Sequence, residues 1–86
     1  LQDLSFYVMI ILLYINLNSL LLLERAYYDE IASDPVLLLS YVNTQLRDFY
    51  TDLDDFCLSL QADKKELTKK LLSIGYSYNP STNQFT

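Results

Sequence analysis

Apolar positions recur at three- and four-residue intervals in three separate stretches of the chain, the spacing that lines one side of an α-helix. In the first, Leu38, Val42, Leu46 and Phe49 form a stripe with Leu39 and Tyr50 at its margins. Asp34 and Pro35 open it, because an aspartate can cap free backbone amides and a proline at the first helical position gives up no hydrogen bond. The second stretch places Leu53, Phe56, Cys57 and Leu60 on one face, after the capping-box pattern Thr51 to Asp54. In the third, Leu67, Leu71 and Ile74 point inward from a helix capped by Asp63 with Glu66 and ended by Gly75, the single glycine of the chain. Beyond it, Tyr76, Ser77 and Tyr78 alternate, Asn79 to Thr82 supply turn residues, and Gln84 and Phe85 close a small β-hairpin. The expected fold is mainly α: a three-helix, helix-turn-helix-like bundle with a small C-terminal β-hairpin, preceded by an apolar N-terminal helix.

Two unlike pieces follow from this pattern, residues 1–33, which are oily, and residues 34–86, which are amphipathic. From Leu4 to Leu23 no residue is charged, and as a helix that run matches the thickness of a bilayer's hydrocarbon core. Asn16 and Asn18 interrupt it, and Arg25 is its sole basic flank. A signal peptide fits poorly, since no basic residue precedes the run. Three readings of residues 1–33 fit the sequence: a membrane anchor through residues 4–23, a packed extra helix, or an over-extended start. The last rests on the missing initiator methionine and a Leu, Ile, Tyr, Phe and Asn mixture typical of translated AT-rich DNA.

Charge narrows the function classes. The net charge is −5, which opposes a phosphate backbone on average, but residues 34–86 carry five basic against seven acidic residues, a net of −2. Histidine is absent, one glycine excludes a glycine-rich phosphate loop, and Cys57, the lone cysteine, falls on a buried face and precludes an intramolecular disulfide. The expectation is no enzyme, no cofactor, no metal site and a cytoplasmic location, with membrane anchorage as the alternative. Asp52, Asp54 and Asp55 lie in a first helical turn, where the helix dipole favours negative charge, and lack the glycine-bearing spacing of a calcium loop.

Two surfaces carry the candidate functions. LDDFCLSLQADKKELTKKL resembles the helix-turn-helix of many bacterial repressors: Cys57 falls at a small position, Leu60 at a hydrophobic one, Ala62 at the corner and Asp63 at the cap. Gln61 departs from the usual turn glycine and Lys70 from a small inward residue. Lys64, Lys65 and Lys69 are then the candidate nucleic-acid contacts, reaching phosphates rather than bases, since the helix carries no Arg, Asn or Gln. Ser40, Asn43 and Arg47 form a polar ridge at helical spacing. The ridge is either an interaction surface, for a protein partner or a homodimer, or a set of local bonds to a neighbouring loop and to Asp48.

DPVLLLSYVNTQLRDFY, DLDDFCLSL and LLSIGYSYNPSTNQF together resemble the bacterial domain of unknown function family 4250, over residues 34–85. The resemblance rests on Asn43, Arg47, Asp48, Tyr50, Gly75, Tyr76, Asn83, Gln84 and Phe85. It implies a bacterial, cytosolic protein whose relatives begin near the Asp-Pro pair, and it supplies no activity.

Overall fold

The computed structural model describes residues 17–86. Four helices and one hairpin follow in chain order: α1 Leu17–Ile31, α2 Pro35–Asp48, α3 Leu53–Leu60, α4 Lys64–Leu72, β1 Tyr78–Asn79 and β2 Gln84–Phe85. The fold is therefore mainly helical with a C-terminal antiparallel ribbon, as the periodicity predicts.

Local chemistry accounts for most of the boundaries. Asp34 caps α2 by accepting from the amides of Val36 and Leu37, and Asp63 caps α4 by accepting from Lys65 and Glu66. The cap of α3 lies one residue later than the Thr51 pattern implies: Asp52 accepts from the amide of Asp55, and the Asp55 carboxylate accepts in return from the amide and hydroxyl of Thr51. Thr51 is thus the residue before the cap, and the Asp55 carboxylate serves the Thr51 amide rather than that of the cap residue Asp52.

Both ends of the α3–α4 unit close by left-handed residues. At the end of α4, Gly75 has φ +87°, its amide reaches the Leu72 carbonyl, and the Tyr76 amide reaches that of Leu71. The same double closure ends α3, where Gln61 (φ 56°) donates to Leu58 and Ala62 to Cys57. A side chain at that φ costs on the order of 1 kcal/mol relative to glycine, so the corner holds a glutamine against its backbone preference.

The helical stripes meet in one core. Leu38, Val42 and Leu46 of α2, Leu53, Phe56, Cys57 and Leu60 of α3, Leu67 and Leu71 of α4, and Phe85 of β2 are all buried in a single cluster, with Ile74 packed at its edge. Phe49 departs from the expected stripe and is 71% exposed. Helix α2 stops at Asp48, and Phe49, its C-cap at φ −131°, leaves the helical path and turns outward. Tyr50 takes the inward place, its ring edge-on to Phe56 at 5.4 Å between centroids.

Helix α1 joins the same core. Tyr28 and Ala32 belong to the cluster, and Tyr28 meets the Phe56 ring at 6.0 Å. Its Arg25 donates through Nη1 to the carbonyls of Leu60 (2.9 Å) and Gln61 (2.7 Å), occupying acceptors left free at the end of α3. Among the described residues no helix is long and apolar enough to cross a membrane. Most of the Leu4–Leu23 run lies outside the described residues.

The hairpin pairs Tyr78 with Phe85 and Asn79 with Gln84, and reciprocal bonds between Ser77 and Thr86 lengthen the ladder. Asn79 accepts from the Ser81 amide inside the turn, and Asn83 leaves it at φ 55°, a conformation asparagine tolerates.

Candidate functional site

Helix α4 packs Leu67 and Leu71 inward, which turns Lys64, Lys65 and Lys69 to the surface. These three lysines, with Thr68 and Leu72, line one shallow depression of about 490 Å³. Lys64 is not free within it: its Nζ lies 2.7 Å from the Asp54 carboxylate in the first turn of α3. That hydrogen bond and the charge of Asp54 hold the ammonium pKa above its ordinary value. Lys65 and Lys69 form no ion pair among the described residues, and both are exposed.

The polar ridge on α2 divides. Ser40 and Arg47 are exposed, and Arg47 grips the adjacent Asp48 through two bonds of 2.8 and 2.9 Å. This pairing lowers the Asp48 pKa and raises that of Arg47. Asn43 turns instead to the hairpin. Its Oδ1 accepts from the Phe85 amide at 2.8 Å and its Nδ2 donates to the Phe85 carbonyl at 3.1 Å, so the side-chain amide pairs with β2 as a neighbouring strand would. For Asn43 and Arg47 the local-bond reading of the ridge describes what the structure places there.

Around Asn43 lies a polar junction that sequence periodicity does not reveal. Asn83 donates through Nδ2 to the carbonyls of Leu46 and Tyr50, both at 2.9 Å, and accepts at Oδ1 from the Tyr78 hydroxyl at 2.7 Å. The Tyr78 oxygen accepts from the Leu53 amide at 3.3 Å, and Gln84 donates to the Asn43 carbonyl at 2.9 Å. The end of α2, the start of α3 and the hairpin are thereby joined through side-chain amides. Carbonyls at the close of α2 and an amide at the opening of α3, which helices leave unpaired, are the groups satisfied.

The sequence model of the family described as "Domain of unknown function (DUF4250)" matches residues 32–85. The chain belongs to the DUF4250 family. No curated protein and no solved structure matches it significantly. Of the positions on which the resemblance rests, Asn43, Asn83, Gln84 and Phe85 meet at the helix–hairpin junction, Tyr50 contributes a carbonyl to it, and Gly75 closes α4. Arg47, Asp48 and the Tyr76 ring are left at the surface.

Burial raises the pKa of three weak acids of the chain, Tyr28, Tyr41 and Cys57. Burial first, then neighbouring negative charge including that of the Cys57 thiolate, pushes Tyr28 from 10.0 up to about 12, and burial likewise pushes Tyr41 to about 12. The Cys57 thiol is pushed from 9.0 to about 11 by burial. Each group keeps its proton longer in the folded chain than in the unfolded one, so their contribution is complete below pH 9 and is lost as pH rises. Denaturant midpoints are therefore expected to fall steadily from pH 9 and most steeply between 10 and 12, with tyrosinate absorbance appearing together with unfolding. The Tyr28→Phe variant should show a shallower fall.

Among the described residues no group of three His, Cys, Asp or Glu is arranged to hold a metal ion. The aspartates at the start of α3 are spent on caps and on Lys64.

Proposed function

We propose that this domain binds rather than catalyses, acting in the cytoplasm as a weak, sequence-independent ligand of the nucleic-acid backbone through the outer face of α4. The observation that carries the reading is that Lys64, Lys65 and Lys69 line one depression beside Thr68 on a helix that follows a tight corner. Ammonium groups on a protruding helix neutralise phosphates, and the sequence of the α3–α4 corner resembles that of a helix-turn-helix. Helix α4 offers no Arg, Asn or Gln to read base edges, so discrimination between sequences is not expected.

Two features limit affinity. Asp54 neutralises Lys64, and the hairpin, residues 77–86, bears no cation to extend the contact. With Lys65 and Lys69 as the two unshared charges lining the depression, log K should fall against log[salt] with a slope of about −2. Chemical-shift titration of the full chain with generic duplex DNA and RNA at two ionic strengths tests this. Lys65→Glu with Lys69→Glu should abolish the shifts, and Asp54→Asn, by releasing Lys64, should steepen the slope by about one and tighten binding severalfold at low salt. Binding indifferent to salt, or unchanged in the lysine variant, overturns the reading.

A second reading, a protein-interaction or homodimerisation module, draws on a separate observation. Leu58 on α3 is 82% exposed and Leu72 on α4 is 61% exposed, on the two helices of the corner. It predicts a mass that rises with concentration, and a strictly monomeric chain argues against self-association.

A further inference from the structure

Helix α1 turns Arg25 and Tyr28 toward the domain, and its opposite side faces solvent. Leu23, Tyr27 and Glu30 lie on that side at i, i+4, i+7 spacing, with Ala26 between them. All four are exposed, and Leu23 and Tyr27 keep more than half of their surface in water. The Tyr27 ring is set edge-on to Tyr41 at 5.1 Å, so its position is fixed before anything meets it. Glu30 forms no ion pair among the described residues.

The outer face of α4 repeats this spacing with the matching chemistry in reverse order. Lys65, Lys69 and Leu72 follow i, i+4, i+7, all three are exposed, and with Lys64 and Thr68 they line a depression whose surface is mostly hydrocarbon. Laid antiparallel, the two helices bring Leu23 against Leu72, the Tyr27 ring against the Lys69 ammonium, and the Glu30 carboxylate against Lys65. Each stripe measures about 10 Å at the helical rise, so the three pairs fall in step. The wider charge agrees. Residues 17–34 carry four acids against Arg25 alone, and α4 carries four lysines against Glu66 alone.

Both stripes are exposed in one copy, so neither covers the other. We propose that a second copy of the chain brings them together, with α1 of one copy lying antiparallel on α4 of the next. This pairing rests on the self-association reading above and gives it its surfaces. Two helical turns a side bury less than the roughly 1,200 Å² of a stable interface, so a single contact is weak, whereas a two-fold dimer makes the same contact twice. A second copy and a phosphate backbone then compete for Lys65 and Lys69.

Sedimentation equilibrium of the full chain, freed of nucleic acid, tests the pairing. The average mass should rise above that of the monomer as concentration increases. Lys65→Glu with Lys69→Glu, and separately Ala26→Lys with Glu30→Lys, set like charges face to face and should each weaken association about tenfold or more. All four substitutions lie at exposed positions, and circular dichroism reports that both variants are folded. Mixed in equal amounts, the two variants should associate at least as well as the parent chain. The intact α1 of the first then meets the intact α4 of the second, and their altered faces are again opposite in charge. Variants that associate as the parent does, with no gain on mixing, overturn this pairing and leave self-association to another face. A parent chain that stays monomeric overturns the pairing and the self-association reading together.

Discussion

Phe56→Ala is expected to cost about 3–5 kcal/mol of folding free energy. The ring is fully buried and lies at the meeting point of four elements. Tyr28 from α1, Tyr41 from α2 and Tyr50 from the α2–α3 turn all approach it edge-on, with centroids between 5.4 and 6.3 Å. Truncation leaves a cavity and strips three edge-to-face contacts, each contributing on the order of 0.5–1.5 kcal/mol beyond area burial. A domain of this length has a total stability of roughly 4–13 kcal/mol, so the variant should unfold at a much lower urea concentration than its parent. Urea unfolding followed by near-ultraviolet circular dichroism separates the effects. Phe56→Leu, which keeps most of the volume, should cost about 1–2 kcal/mol and lose the aromatic signal of the tyrosine cluster while remaining folded. A Phe56→Ala chain as stable as its parent would mean that the tyrosines do not depend on this ring.

The place of Phe56 is readable from the sequence, because Leu53, Phe56, Cys57 and Leu60 share the helical period that also marks Leu38, Val42 and Leu46. Caps at Asp34 and Asp63 are readable for a similar reason, since the capping residue and the amides it serves lie within three positions. What periodicity extends too far is the α2 stripe. It assigns Phe49 inward because the spacing continues, whereas the backbone has already left the helix at that residue. The candidate sites divide along the same line. Lys64, Lys65 and Lys69 fall on one face through local spacing, but the neutralisation of Lys64 by Asp54 depends on how the corner folds. Arg25 reads as a flank to an oily run, and its carbonyl partners lie 35 and 36 residues away. No pattern within α1 announces them.

The helix–hairpin junction is where long range matters most, and Asn43→Ala should cost about 2–3 kcal/mol. Truncation removes both bonds to Phe85 and leaves the Phe85 amide and carbonyl without their partner beside a buried ring, and a buried donor left unpaired costs about 1–3 kcal/mol. The size of the loss follows from geometry rather than from burial of Asn43, which is only partial. A hairpin with two-residue strands is marginal alone, so its register depends on the α2 side chain that pairs with it. Asn43→Asp distinguishes pairing from simple polarity. Its carboxylate still accepts from the Phe85 amide but faces the Phe85 carbonyl with an oxygen in place of a donor. It should therefore recover less than half of the alanine loss at neutral pH and more as acid protonates it. Hydrogen exchange at the Phe85 and Thr86 amides reads the local effect, and urea midpoints read the global one. If both amides stay as protected in Asn43→Ala as in the parent chain, Asn83 and Gln84 hold the hairpin without it. The polar positions on which the resemblance rests would then be redundant as a clamp, and a role for Asn43 at the surface would have to be found.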